Sequence, residues 1–315
     1  MNAVLDAIEV FFERLGAVDF VPLLLGVCCH LLKMACTSRA WRNVLVAAYP
    51  EEKVRWRQIW AAYVAGVGVN AIIPIRGGDA VKLVMAHRAI ANSTYTTLAA
   101  SLLVLAVVDS IMGLSLFAFA LTQNVLPSLD VIPDLPSFDF AWFLDHPRFS
   151  LALLAALLVL AIVAVVWVRR RVEEFRARVR QGVTVLRDPP RYVRTVAFWQ
   201  LCDWALRFVT IGFFLRAFDI EPSIRNVLLV QVTMSLATIV PATPGGIGTE
   251  QAFIVYVFRG AAPRSTLLAF SVGMRITLTV VNAVVGFSAI LATLGTLRFR
   301  RHVEQARAQS TAAEP

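Results

Sequence analysis

Apolar residues run along this chain in long blocks, separated by charged or Gly/Pro-rich stretches. Residues 149–168 and 277–297 carry no charge over about 20 positions, enough for a helix to cross a hydrocarbon core of about 30 Å. Further apolar runs cover 20–37, 94–121 and 196–217, and the last run extends over 265–297. Two others are interrupted. The run 59–75 ends at Pro74-Ile-Arg-Gly-Gly-Asp79 and is followed by a short helical segment, 80–91. The run 227–240 ends at Pro241-Ala-Thr-Pro-Gly-Gly-Ile-Gly-Thr-Glu250, with a short segment to residue 258. Several such blocks cannot be hidden in one soluble core. The pattern predicts an all-α polytopic membrane protein with about five full transmembrane helices.

Charge orders these helices. Basic residues collect at 38–57, at 169–194 (nine Arg against three acids) and at 298–307, whereas 122–148 is acidic, with Asp130, Asp134, Asp139 and Asp145. The positive-inside rule places the basic stretches in the cytoplasm and the acidic N-terminus and loop outside. The run 20–37 then crosses inward and 94–121 crosses outward, so the segment between them must start and finish in the cytoplasm. By the same count, 196–217 crosses outward, 265–297 crosses inward, and 224–260 must start and finish outside. Two oppositely oriented re-entrant hairpins, one in each half, satisfy both demands. This is an inverted repeat, a recurrent transporter design.

The resulting organisation is an N-terminal amphipathic segment (1–19, with Val4, Ile8, Phe11, Phe12 and Leu15 near one face) and a single membrane domain (20–297). Within the domain lie repeat 1 (about 20–121), a connecting helix (149–168), a basic cytoplasmic linker (169–194) and repeat 2 (about 195–297), and a cytoplasmic tail (298–315) follows. Asp6, Glu9, Glu13 and Asp19 against Arg14 reverse the charge of a signal-peptide start. The chain is expected in the cytoplasmic membrane, which is the inner membrane where there are two.

The two breaks carry the chemistry. Pro74, Gly77 and Gly78 interrupt the first hairpin beside Arg76 and Asp79. Irregular backbone at membrane depth persists only where protein or a water-filled cavity covers it. A charge there costs about 2.5–3.5 kcal/mol on the lenient insertion scale. Either this motif lines a polar cavity or it is an interfacial turn with Arg76 snorkelling to headgroups. In the second break, Pro241, Pro244, Gly245, Gly246 and Gly248 cannot continue a helix. The half-helix starting near Thr249 points its amides at the break, which suits an anion, and Glu250 sits in its first turn as site residue or as cap. Arg275, inside the last apolar run, needs a partner, with Glu250 or Asp79 expected. Asp109 stands alone in mid-span as a cavity-lining candidate. Asp203 and Arg207, four apart, read as a structural pair on one helix face. Lys82 and Arg88 suit either phosphate contact or topology.

Other chemistry lacks support. The net charge of +9 flanks apolar runs and has no basic-aromatic motif beside it, so nucleic acid is not an expected partner. Cys28, Cys29, Cys36 and Cys202 sit in apolar runs without metal or disulfide spacing, and His30, His87, His146 and His302 are scattered. No metal, cofactor or catalytic set is expected.

The stretches Asn70-Ala-Ile-Ile-Pro-Ile-Arg-Gly-Gly-Asp79 and Pro241–Glu250, with Arg275 and Gly286 following, resemble the lysylphosphatidylglycerol synthase transmembrane-domain family, which includes the flippase half of the multiple peptide resistance factor. The resemblance covers roughly 20–297. It implies a membrane fold with re-entrant helices, associated with moving lipids between leaflets. Two departures stand out: Leu105-Ala106 occupies the place where family members often carry a Glu-Arg pair, and Asp79 stands where they commonly have Glu. No soluble aminoacyltransferase domain follows the last span, so synthesis of lysylphosphatidylglycerol by this chain alone is not expected.

Three functions compete. The first is a lipid transporter whose partners are membrane lipids: an anionic or zwitterionic phospholipid, an aminoacyl-phospholipid or a polyprenyl-phosphate lipid. The second is a lipid-modifying enzyme with Asp79 or Glu250 as base, weakened by the absence of a nucleophile set. The third is a non-transporting partner of a lipid synthase or glycosyltransferase. A transporter is the expectation, and a homodimer is compatible with it.

Overall fold

In the computed structural model the described residues are 16, 18–73, 77–122, 176–239, 248–258 and 262–294. The amphipathic segment 1–15, the acidic loop, the connecting helix 149–168 and the tail 298–315 lie outside them. So do Pro74, Arg76, Pro241, Pro244, Gly245 and Gly246. Among the described residues every regular element is helical, as the blocks of apolar sequence require.

Eight helices carry the architecture: α1 (Phe20–Ala48), α2 (Trp56–Ile72), α3 (Gly77–Ala89), α4 (Tyr95–Thr122), α5 (Phe198–Ala217), α6 (Ile224–Ile239), α7 (Thr249–Val257) and α8 (Arg264–Leu294). Of these, α1, α4 and α8 are long and apolar enough to cross a membrane. With 20 residues α5 is about 30 Å long, also a span length, but it carries Asp203, Arg207 and Arg216. The other four are short. At 17, 13, 16 and 9 residues they measure only about 26, 20, 24 and 14 Å.

Hydrogen bonds sort the helix ends into two sets. Asp19 accepts from Val21 N and caps α1, and its own amide donates to the Ala217 carbonyl at the end of α5 (3.0 Å). At the other end Asn43 donates to the Thr195 carbonyl (2.6 Å). So α1 and α5 run antiparallel and pack along their length. Near that second end Gln181 donates to the Ala48 carbonyl, Thr97 to the Arg178 carbonyl, and Asn92 to Glu52. The approach to α2 and the exit from α3 therefore meet at one end, together with the basic linker. The α2–α3 pair leaves and returns on the same side.

Helix contacts recur in matched pairs. As α2 packs on α8, α6 packs on α4; as α3 packs on α4, α7 packs on α8; and α2 meets α3 as α6 meets α7. Two apolar clusters accompany this. One gathers Trp41, Leu45, Ile59, Val81 and Leu98 from α1 to α4, and the other gathers Phe214, Val230, Ile254, Leu267 and Phe270 from α5 to α8.

Glycines set the closest approaches. A Cβ on Gly78 would collide with the Gly66 carbonyl, and Gly78 N donates to Asn70 Oδ1 (2.8 Å), which seals α3 against α2. Gly68 and Gly286 do the same for α2 and α8: a Cβ on Gly68 would stand 2.7 Å from the Asn282 carbonyl and from Gly286 Cα.

Candidate functional site

The second break delivers a carboxylate to an arginine. Gly248 turns the chain into α7 at φ +90°, a conformation that favours glycine, and its amide donates to Gln251 Oε1 (2.7 Å). Glu250 follows in the first turn of α7, where the helix dipole favours a negative charge. Its Oε2 accepts from Arg275 Nη1 at 2.8 Å. Arg275 lies 11 residues into α8, about 17 Å along the axis. The carboxylate side chain is 8% exposed and the guanidinium side chain 31%. Among the described residues Glu250 Oε1 has no hydrogen-bond partner. A buried carboxylate with one oxygen unsatisfied is costly by roughly 1–3 kcal/mol, which makes this a place where a ligand or water belongs.

At the first break Asp79 sits in the first turn of α3 and pairs with Lys82 (2.9 Å), not with Arg275. The Lys82 ammonium also lies over the Tyr63 ring, 5.2 Å from its centre. Asp79 is 45% exposed at the side chain and Lys82 only 13%. Gly77 and Gly78 belong to the helix rather than to the turn before it.

Asp203 and Arg207 pair at 3.0 Å as the spacing predicts, but the pair is not a local affair. Asp203 Oδ1 accepts from Thr37 Oγ1 (2.6 Å) on α1. The Arg207 guanidinium stacks on Trp204 (4.2 Å), whose indole N–H donates to Asp109 Oδ1 (2.9 Å) on α4. Asp109 thus has a partner, 95 residues away. Lys33 on α1 lies within electrostatic reach of Arg207, Asp203 and Asp109. Tyr63 lies near Thr37, and His30 Nε2 lies 2.8 Å from Asn282 Oδ1 on α8. A line of polar groups therefore runs from Lys82 past Tyr63 and Thr37 to Asp203, Arg207, Trp204 and Asp109, drawing on five helices. Sequence reading passed over Lys33 and set His30 aside as one of four scattered histidines. Both interrupt the apolar run 20–37, and an ionisable group in such a run is a functional candidate by default.

A groove of about 440 Å³ opens between α5 and α6, lined by apolar residues such as Phe208, Phe213 and Leu228, with Arg216 at its margin. It holds none of the acids above and suits hydrocarbon better than a headgroup. Among the described residues no group of three His, Cys, Asp or Glu could hold a metal ion.

Long apolar helices, short paired helices and ion pairs at membrane depth define a polytopic membrane protein with a charged interior. The chain matches the family model for the lysylphosphatidylglycerol synthase transmembrane region over residues 7–286, and it belongs to that family, a membrane domain associated with lipid flippase- and synthase-related function. No curated protein and no solved structure matched the chain.

Proposed function

We propose that this chain moves a phospholipid-class lipid between the leaflets of the cell membrane, with its N-terminus outside and its C-terminus in the cytoplasm, and that it catalyses no covalent step. The observation that carries the proposal is the buried Glu250–Arg275 pair at the start of a half-helix. Half of that carboxylate is unpartnered, and it lies in a family tied to lipids.

In this reading the helix pairs α2–α3 and α6–α7 enter the bilayer from opposite faces and return, since α3 and α7, at 13 and 9 residues, fall below span length. The matched contacts support reading the halves as inverted copies. Arg275, with Arg76 at the first break, draws a lipid phosphate into the interior. Glu250 releases Arg275 as the phosphate arrives, and Asp79 and Asp109 line the path. Acyl chains trail through apolar grooves such as that between α5 and α6. Binding energy of the headgroup thereby replaces an internal ion pair, so charge crosses without ever being bare in hydrocarbon.

Proteoliposomes carrying fluorescent phospholipid, quenched from outside with dithionite, test this. Wild type should expose the inner-leaflet label within minutes, and Glu250→Gln and Arg275→Met should each slow it by about tenfold or more, equivalent to about 1.4 kcal/mol. Unchanged movement in both variants would discard the assigned site. Absence of movement in wild type, together with co-purification of a lipid synthase or glycosyltransferase, would favour a non-transporting partner.

A further inference from the structure

The groups around Lys33 have a pattern that the Glu250–Arg275 pair does not explain. Lys33 is the single charge in the run 20–37 and lies 13 residues, about 20 Å, into α1. It faces α5, the helix that packs against α1 where the two halves meet. Transporters built from repeats place substrate near the midplane at such a junction.

Counting the bonds at each charged atom shows what is taken and what is open. Asp203 is taken, one oxygen by Thr37 and the other by Arg207. Asp109 is half taken, with Oδ1 accepting from Trp204. Among the described residues Asp109 Oδ2 accepts no hydrogen bond, and the Lys33 ammonium makes no hydrogen bond or ion pair. Lys33 is half-buried and Asp109 exposed. One donor group and one acceptor atom are thus left over, on neighbouring helices, at membrane depth.

We propose that Lys33 and Asp109 are the two ends of a binding site for a zwitterionic phospholipid headgroup, the phosphate on Lys33 and the ammonium on Asp109. Lys33 and Arg207 balance Asp109 and Asp203, so the empty cluster is neutral. A ligand with one phosphate and one ammonium keeps it neutral. A purely anionic headgroup leaves a net negative charge in hydrocarbon, which is strongly disfavoured. Exposed Leu103, Val107, Ile111 and Leu114 form an apolar stripe on α4 that, at about 100° per residue, lies across the helix from Asp109; it sets α4 among acyl chains, which favours a lipid over its soluble headgroup. The inference deepens the transport reading by naming the headgroup, and it takes from that reading only that Asp109 lines the path.

The test is native mass spectrometry of the full chain equilibrated with equal amounts of phosphatidylethanolamine and phosphatidylglycerol. Wild type should retain the ethanolamine lipid about fivefold or more over the glycerol lipid. Lys33→Gln should lose most of that retention, Asp109→Asn should shift the ratio toward phosphatidylglycerol, and the charge swap Lys33→Asp with Asp109→Lys should restore it. The ratio is read within one sample of intact protein, so a lower folded yield does not move it. Equal retention of the two lipids by wild type, or a ratio unmoved by both single variants, would overturn the site. Displacement of the lipid by an equal concentration of glycerophosphoethanolamine would overturn its assignment to a lipid. No transfer is needed for this readout: headgroup selectivity without lipid movement supports this site while the transport reading fails, and lipid movement without selectivity overturns this site alone.

Discussion

Removing one partner of the Glu250–Arg275 pair should cost far more than removing both. Truncating one member of a fully buried ion pair costs about 3–5 kcal/mol, because a charge is stranded, whereas replacing both by neutral groups of similar size is often close to neutral. The two sides differ in exposure, 8% for the Glu250 side chain and 31% for that of Arg275, and solvent screening at the arginine lowers the figure. Arg275→Met strands a buried carboxylate that already lacks a partner at Oε1, so a loss of about 1–3 kcal/mol is expected. Glu250→Gln leaves a partly exposed guanidinium that can reach polar surroundings along its stem, so about 1 kcal/mol is expected. The double variant Glu250→Gln with Arg275→Met should lie within about 1 kcal/mol of wild type. Thermal unfolding in nanodiscs, followed by loss of monodisperse protein, would place Arg275→Met several degrees lowest, at about 2–4 °C per kcal/mol. If the double variant is as unstable as the two single losses added together, the side chains do not compensate each other and the ion-pair argument is wrong. If it is stable yet transports nothing, the pair serves transport rather than scaffolding.

Glycine substitutions should separate packing from hinge roles. Gly78→Ala would drive its methyl into the Gly66 carbonyl and should abolish monodisperse protein, whereas Gly77→Ala meets only Ile73 at 3.9 Å and should raise the unfolding midpoint slightly through helix propensity, by up to about 1 kcal/mol. Gly248→Ala must hold φ +90° and should lose about 1–3 kcal/mol of stability, again read from the melt. Trp204→Phe removes the donor to Asp109 (2.9 Å); Asp109 being exposed, the cost should be only about 1 kcal/mol, seen as a small midpoint shift.

Much of the architecture is legible because membranes impose long-wavelength rules. Apolar blocks located α1, α4, α5 and α8; of the Pro/Gly clusters, the described members Gly77 and Gly78 open α3 and Gly248 precedes α7. Charge asymmetry predicted that the α2–α3 pair starts and finishes on one side; the Asn92–Glu52 bond brings the two ends of the pair together. An isolated arginine in an apolar helix needs an acid, and of the two expected for Arg275, Glu250 or Asp79, it is Glu250 that pairs with it. Asp79 found its base three residues on, at Lys82, a spacing visible in the sequence but overshadowed by the nearby Arg76. The Lys33, Asp109 and Asp203 assembly was not legible. Its members are 76 to 170 residues apart, and the local Asp203–Arg207 spacing looked self-sufficient until tertiary packing added Thr37, Trp204 and Asp109. The glycine seams escaped for a related reason: a glycine in an apolar run shows no preference until another backbone lies against it.

The contact between Gly68 and Gly286 fixes the rotational phase of α8. Neither residue has an atom to trim, so a shift at one cannot be absorbed by the other, and the azimuth of every side chain on α8 is set from that point. Asn282, one turn back, is thereby aimed at His30. Arg275, two further turns back on the same stripe, is aimed at Glu250. Inserting or deleting one residue between 275 and 286 would swing the guanidinium by about 100°, carrying it to another sector of the helix while leaving every individual charge in place.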